Sequence, residues 1–262
     1  MLINYYDLPD WMKGNDRILT GYRPLTNNYR KCIKSICMVH NETFNIWSHL
    51  LGSVLFLLLL IQLFFETYNP YHKLILAVYC LAVITCFMLS TGYHTFMNHS
   101  YEVYKRCLIL DFQGILINIF GGSILLLYSI FHEKSQLLFF IYFFFMLSTY
   151  SLMNIVVYYP ILDGKNGRVY RTILFLSNTF IPIIPIVHCS FINIDDNYIT
   201  IVQVLSIFFI SAFFGCFMYM YRIPETLIDL RYLDYIGNSH NIMHVLVIII
   251  ALQMYYGLKI LF

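Results

Sequence analysis

Three histidines, one aspartate and one serine are the residues whose types and spacing could do chemistry here. His240 and His244 sit in Gly237-Asn238-Ser239-His240-Asn241-Ile242-Met243-His244, and the chain from Val245 to its end is almost wholly apolar. A four-residue spacing on a helix puts both imidazoles on one face, about 6 Å of rise apart. At that reach two histidines can share one metal ion. The pair alone is a weak signal, because nine histidines in 262 residues produce such spacings by chance. Its setting sharpens it: ionisable groups at the edge of an apolar span are costly in lipid unless they face the protein interior and have partners. The candidate partners are His94, with Ser90 one turn before it, and Asp111 in Leu110-Asp111-Phe112-Gln113-Gly114. Three imidazoles and a carboxylate are what a catalytic zinc needs: three protein ligands, an open fourth position for water, and a group to orient or deprotonate that water. Two plainer readings stand beside this one. A histidine near a helix end is commonly an interface residue, and Asp111 would equally suit an ion pair with Arg106 or a loop basic residue.

The elements that must position these residues are membrane spans. The chain is 60% hydrophobic and 11% charged, with a mean hydropathy of +0.69; soluble domains carry about 25% charged residues. Seven apolar stretches, 45–65, 74–96, 108–131, 137–159, 172–191, 199–221 and 239–261, are each about 20–25 residues and so long enough to cross a bilayer core of about 30 Å. The expected fold class is therefore all-α: a polytopic seven-transmembrane helix bundle spanning 45–262, preceded by an N-terminal segment, 1–44. Within that segment Tyr29, Cys32, Ile33, Ile36 and Cys37 mark one apolar helical face opposite basic residues. This is the pattern of a short helix lying in the membrane interface, although a helix packed on the protein would read the same way. Pro182 and Pro185 should kink the fifth span. Gly114, Gly121 and Gly122 should permit close helix packing in the third.

Thirteen of the sixteen basic residues fall on one side of this topology, six of them in the tail and the rest at Lys105, Arg106, Lys165, Arg168, Arg171, Arg222 and Arg231. Only Lys73, Lys134 and Lys259 fall on the other. That bias predicts a cytoplasmic N-terminus; which membrane houses the chain stays open. It also places Asn41-Glu42-Thr43 and Asn98-His99-Ser100, two glycosylation patterns, on the side where they go unused. The net charge of +2 gives no argument for nucleic acid. Seven cysteines without a Cys-x-x-Cys pair read as packing residues with free thiols. The first residues lack a basic region followed by an apolar one, so no cleaved signal peptide is expected.

With the orientation set, His94, Asp111, His240 and His244 all lie at the cytoplasmic ends of their spans, at similar depth. A second polar block, His40-Asn41-Glu42-Thr43-Phe44-Asn45-Ile46-Trp47-Ser48-His49, opens the first span. Glu42 and His49 could be metal ligands, but a structural role is favoured: Asn and Thr suit a helix start and Trp47 suits the interface.

His40-Asn41-Glu42-Thr43-x-Asn45-Ile46-Trp47-x-His49, Ser90-x-x-x-His94, Leu110-Asp111-x-x-Gly114-Ile115, Pro224-Glu225 and Ser239-His240-x-x-x-His244, with Gly21-Tyr22-Arg23-Pro24 upstream, resemble in order the motifs of the progestin and adipoQ receptor family. That family includes the adiponectin receptors and the haemolysin III proteins. The resemblance runs from about Leu19 to the end. It implies a seven-helix bundle with one zinc ion near the inner leaflet, held by His94, His240 and His244, with Asp111 contacting the zinc-bound water and Ser90 beside it. Family members, and the distantly similar alkaline ceramidases, are implied to hydrolyse the amide of ceramide. The chain stops right after its seventh stretch, so an extracellular C-terminal ligand-binding segment is expected to be absent. Two rival readings remain: a receptor or membrane sensor with a structural zinc, and, less favoured for lack of charges along the spans, a channel or transporter. The expected partner is a membrane lipid, ceramide or a related acyl lipid; protein partners are not indicated.

Overall fold

The computed structural model describes residues 1–159, 167–192 and 195–262; Lys165, counted in the charge bias, lies outside the described residues. The architecture is all-helical. A short α1 (Tyr29–Ser35) precedes α2 (Thr43–Phe65), α3 (Pro70–Phe96), α4 (Tyr101–Phe131), α5 (Gln136–Val156), α6 (Gly167–Phe180), α7 (Ile183–Ser190), α8 (Asp196–Tyr221) and α9 (Ser239–Lys259). Among the described residues, seven segments are long and apolar enough to cross a membrane, α6 and α7 together forming the fifth. The protein is thus an integral multi-pass membrane protein.

Capping residues set the helix starts. The Asn69 side chain accepts from Tyr71 N–H ahead of Pro70, the first residue of α3. Asp195 accepts from Tyr198 N–H at 2.8 Å to start α8, and Asn238 accepts from the N–H groups of His240 and Asn241 to start α9. These side chains satisfy donors that the first helical turn leaves unpaired. The expected kink is present: α6 ends at Phe180 and α7 resumes at Ile183, where Pro182 and Pro185 remove two backbone donors.

Several helices begin earlier than the apolar stretches suggested. Lys105 and Arg106 belong to α4, and Arg168 and Arg171 to α6, so these basic residues are helical rather than in loops. The tail nevertheless gathers one end of the bundle. Asp234 accepts from Leu19 N–H, Thr20 N–H and the Thr20 hydroxyl, Asn15 reaches Glu225, Arg168 reaches Gly14 O, Arg222 pairs with Asp16, and Asn98 donates to Pro24 O. At the other end, Lys134 pairs with Asp195 at 3.0 Å and Lys259 with Glu66 at 2.7 Å.

The core centres on α3 and α4. A Cβ on Gly121 would lie 2.5 Å from Ala82 Cβ, and one on Gly114 3.1 Å from Cys86 Cα; both glycines exist because the helices touch there. Phe56, Phe87, Leu126 and Tyr255 fill the space around them. α5 buries only Met146 and exposes Phe140, Ile141, Phe144 and Leu152, as a lipid-facing helix does. On α1 the expected apolar face is split: Cys32 is buried, while Tyr29 and Ile33 are more than half exposed.

Candidate metal centre

Helix α3 carries His94 in its last turn and α9 carries His240 and His244 in its first two. The three side chains converge, with one ligand atom from each within 4.8 Å of the others. His94 Nε2 and His240 Nε2 face each other at 3.3 Å. A tetrahedral zinc with Zn–N bonds of about 2.0–2.1 Å holds its ligand nitrogens about 3.3 Å apart, so the three-imidazole donor set suits the ion and the His94–His240 pair has its spacing.

The tautomers fit as well. The Glu42 carboxylate accepts from His94 Nδ1–H at 2.8 Å. Ser48 donates its own proton to Asn45 O, so its oxygen accepts from His244 Nδ1–H at 3.0 Å. His94 and His244 then each present a bare Nε2 lone pair, which is what a ligand requires. His94 and His244 are almost wholly buried. His49 stands outside this group of three: its ring stacks on His244 at 3.8 Å and on Phe87 at 4.6 Å.

The backbone under His94 is fixed by Arg23. Its buried guanidinium donates to His94 O at 2.5 Å, Thr95 O at 3.1 Å and Ser35 Oγ at 2.7 Å. A cation placed there satisfies the unpaired carbonyls that end α3 and complements the helix dipole. Glu225 does the reverse at the start of α9, accepting from Ser239 N–H at 2.7 Å and the Ser239 hydroxyl at 2.5 Å. The Gly21-Tyr22-Arg23-Pro24 and Pro224-Glu225 motifs are therefore clamps on the two helices that carry the histidines.

A cavity of about 230 Å³ runs from this centre into the bundle. Ser90, Asp111, Arg171, His240 and His244 line its polar end; Phe208, Val247 and Met254 line the apolar remainder. From His240 to Met254 the cavity follows α9 for about 21 Å. The Ser90 hydroxyl is set against the Asp111 carboxyl, which also has His94 and Arg171 as neighbours. Arg106, the partner considered for Asp111 from sequence, is exposed. All five sequence-designated residues thus reach one place. The sequence reading missed Glu42 as the partner of His94, Asn241 as the partner of Asn45 at 2.7 Å, and Arg171 as a cavity residue. A carboxamide in an apolar span was the available signal for Asn241.

Residues 37–255 match the model of the haemolysin-III related family. The chain belongs to that family. The matched region holds every residue of the centre. Relatives within reach are the adiponectin receptor protein of Drosophila melanogaster, 30% identical over 98% of this chain and 58% of its own length, and progestin and adipoQ receptor-like protein 1 of Caenorhabditis elegans, 28% identical over 98% and 60%. Progestin and adipoQ receptor family member 3 of Homo sapiens is 29% identical over 95% of this chain and 82% of its own. The chain therefore spans little more than half of the fly and worm proteins. These matches bear out the resemblance drawn from the motifs.

Proposed function

We propose that this haemolysin-III related protein is a zinc-dependent hydrolase of an acyl-lipid amide of the ceramide class, acting within the bilayer. The observation that carries this is the convergence of His94, His240 and His244 with Asp111 and Ser90 at the polar end of a mainly apolar cavity. A zinc ion held by the three imidazoles would act as a Lewis acid that acidifies water and polarises a carbonyl. Asp111 takes a proton from the attacking water at its carboxylate oxygen and returns it to the leaving amide nitrogen, so that amide and water become fatty acid and amine. Ser90 donates its one hydroxyl proton to the Asp111 carboxylate and so holds the base in place beside the substrate. The apolar wall along α9 takes an acyl chain and keeps bulk water from the reacting carbonyl. The charge bias supports a cytoplasmic side for the centre.

A receptor or sensor with a structural metal is the second reading, favoured by the receptor names that the fly and human relatives carry. One experiment separates the two: ceramide hydrolysis by purified protein with its zinc quantified, beside His244→Ala. Fatty-acid release that tracks one zinc per chain and vanishes in the variant supports the hydrolase. Stoichiometric zinc without turnover supports the structural metal, and no zinc at all overturns the centre.

A further inference from the structure

The polar block that opens α2 supplies no ligand, yet its side chains point at those that do. Glu42, Asn45, Ser48 and His49 recur at a spacing that puts them on one helical face. Each reaches a different part of the centre. Glu42 Oε2 accepts from His94 Nδ1 at 2.8 Å and from Asn45 Nδ2 at 2.7 Å. Asn45 Oδ1 in turn accepts from Asn241 Nδ2 at 2.7 Å, between His240 and His244 on α9. Ser48 accepts from His244 Nδ1, and the His49 ring lies flat on that imidazole. One continuous chain, His94–Glu42–Asn45–Asn241, therefore joins the two ligand-bearing helices through a third.

We propose that the first two turns of α2 are a positioning element for the metal, with Glu42 the positioning residue of His94 and Ser48 that of His244. The chemistry is that of a carboxylate or hydroxyl behind a ligating imidazole. It holds the proton on Nδ1, keeps the lone pair on Nε2, fixes the ring plane and, for the carboxylate, raises the basicity of the ligand. The side chain of Glu42 is 15% exposed and that of His94 2%, so the pair works largely out of water, where a charge-assisted hydrogen bond is strong. At Glu42, a purely structural bond between α2 and α3 would need only an acceptor of the right shape, whereas raising the basicity of His94 needs the charge.

The inference rests on the reading that the triad holds zinc, and the test keeps the two apart. Zinc affinity is measured by competition with a chelator, together with the rate of zinc release, for wild type, Glu42→Gln, Glu42→Asp and Ser48→Ala, with the melting point of each metal-stripped protein beside it. Glu42→Gln keeps the size and one acceptor oxygen, enough for the His94 and Asn45 bonds that share Oε2, but loses the charge and the longer bond from Asn41 to Oε1. It is expected to weaken zinc binding by about 10–100-fold and to speed release, while the metal-stripped melting point stays at the wild-type value. Glu42→Asp, which keeps the charge, is expected to recover part of the affinity. Wild-type affinity in Glu42→Gln overturns the assignment of Glu42. Should that variant fail to fold, Ser48→Ala decides: a weaker site supports the positioning element and an unchanged one overturns it. A wild-type protein that binds no zinc instead overturns the metal reading itself.

Discussion

His40 makes the fold acid-sensitive in a way that can be measured. Its ring is fully buried, and both nitrogens are used by the neutral form: Nε2–H donates to Ser35 O at 3.1 Å, and Nδ1 accepts from Glu42 N–H at 3.1 Å. Protonation would set Nδ1–H against that amide and place a second cation near Arg23. Burial first, then the Arg23 charge, lower its pKa from 6.5 to about 4. Between those values the unfolded chain binds a proton that the folded one refuses, so stability is full above about pH 6.5 and is lost as pH falls toward 4. The whole shift amounts to about 3 kcal/mol, of which about 2 kcal/mol is gone by pH 5. The assay is thermal unfolding in detergent at about pH 7.5 and about pH 5, on metal-stripped protein so that zinc release does not contribute, with wild type and His40→Gln compared. At the higher pH the variant should be less stable by about 1–2 kcal/mol, having lost one of two buried hydrogen bonds. At the lower pH the gap should close or reverse, because only wild type has a proton to refuse. An equal gap at both pH values would refute the buried neutral tautomer.

Two further outcomes are expected. Gly121→Leu should lower the melting point by the equivalent of about 1–3 kcal/mol, because its Cβ already overlaps Ala82, whereas Gly122→Ala, whose Cβ meets only Tyr79 Cε2 at 3.6 Å, should leave the melting point in place; equal effects would mean that α3 and α4 are not in contact at Gly121. A strong zinc chelator should lower the melting point of wild type, by as much as about 4 kcal/mol if the ion stood a thousandfold above its dissociation constant, and should leave His94→Ala unmoved; a variant still sensitive to the chelator would place the metal elsewhere.

The parts of this protein that could be read from its sequence are those that depend on local order or on depth. Apolar length gave the seven spans, and Pro182 and Pro185 gave the break between α6 and α7. Sorting residues by their distance from a span end was enough to bring His94, Asp111, His240 and His244 together, because helices that cross a bilayer in parallel put equal depths side by side. Apolar length could not find where α4 and α6 begin: their first turns carry Glu102, Lys105, Arg106 and Arg168, which a hydropathy window rejects although a helix accepts them. That is why Arg171 was counted with a loop and its place beside Asp111 was missed. Depth also fails to say which way a side chain faces, and the partner of His94 depends on facing. Glu42 is 52 residues from His94, and its position at a helix start suggests a cap; yet its side chain makes no capping bond and is turned inward. What marks it is the set it belongs to. Polar residues on one face of an otherwise apolar helix call for partners on other helices, and at this depth Glu42, Asn45 and Ser48 find them in the imidazoles and Asn241. A polar stripe that opens a span is therefore informative about the site it faces even when none of its members is a ligand.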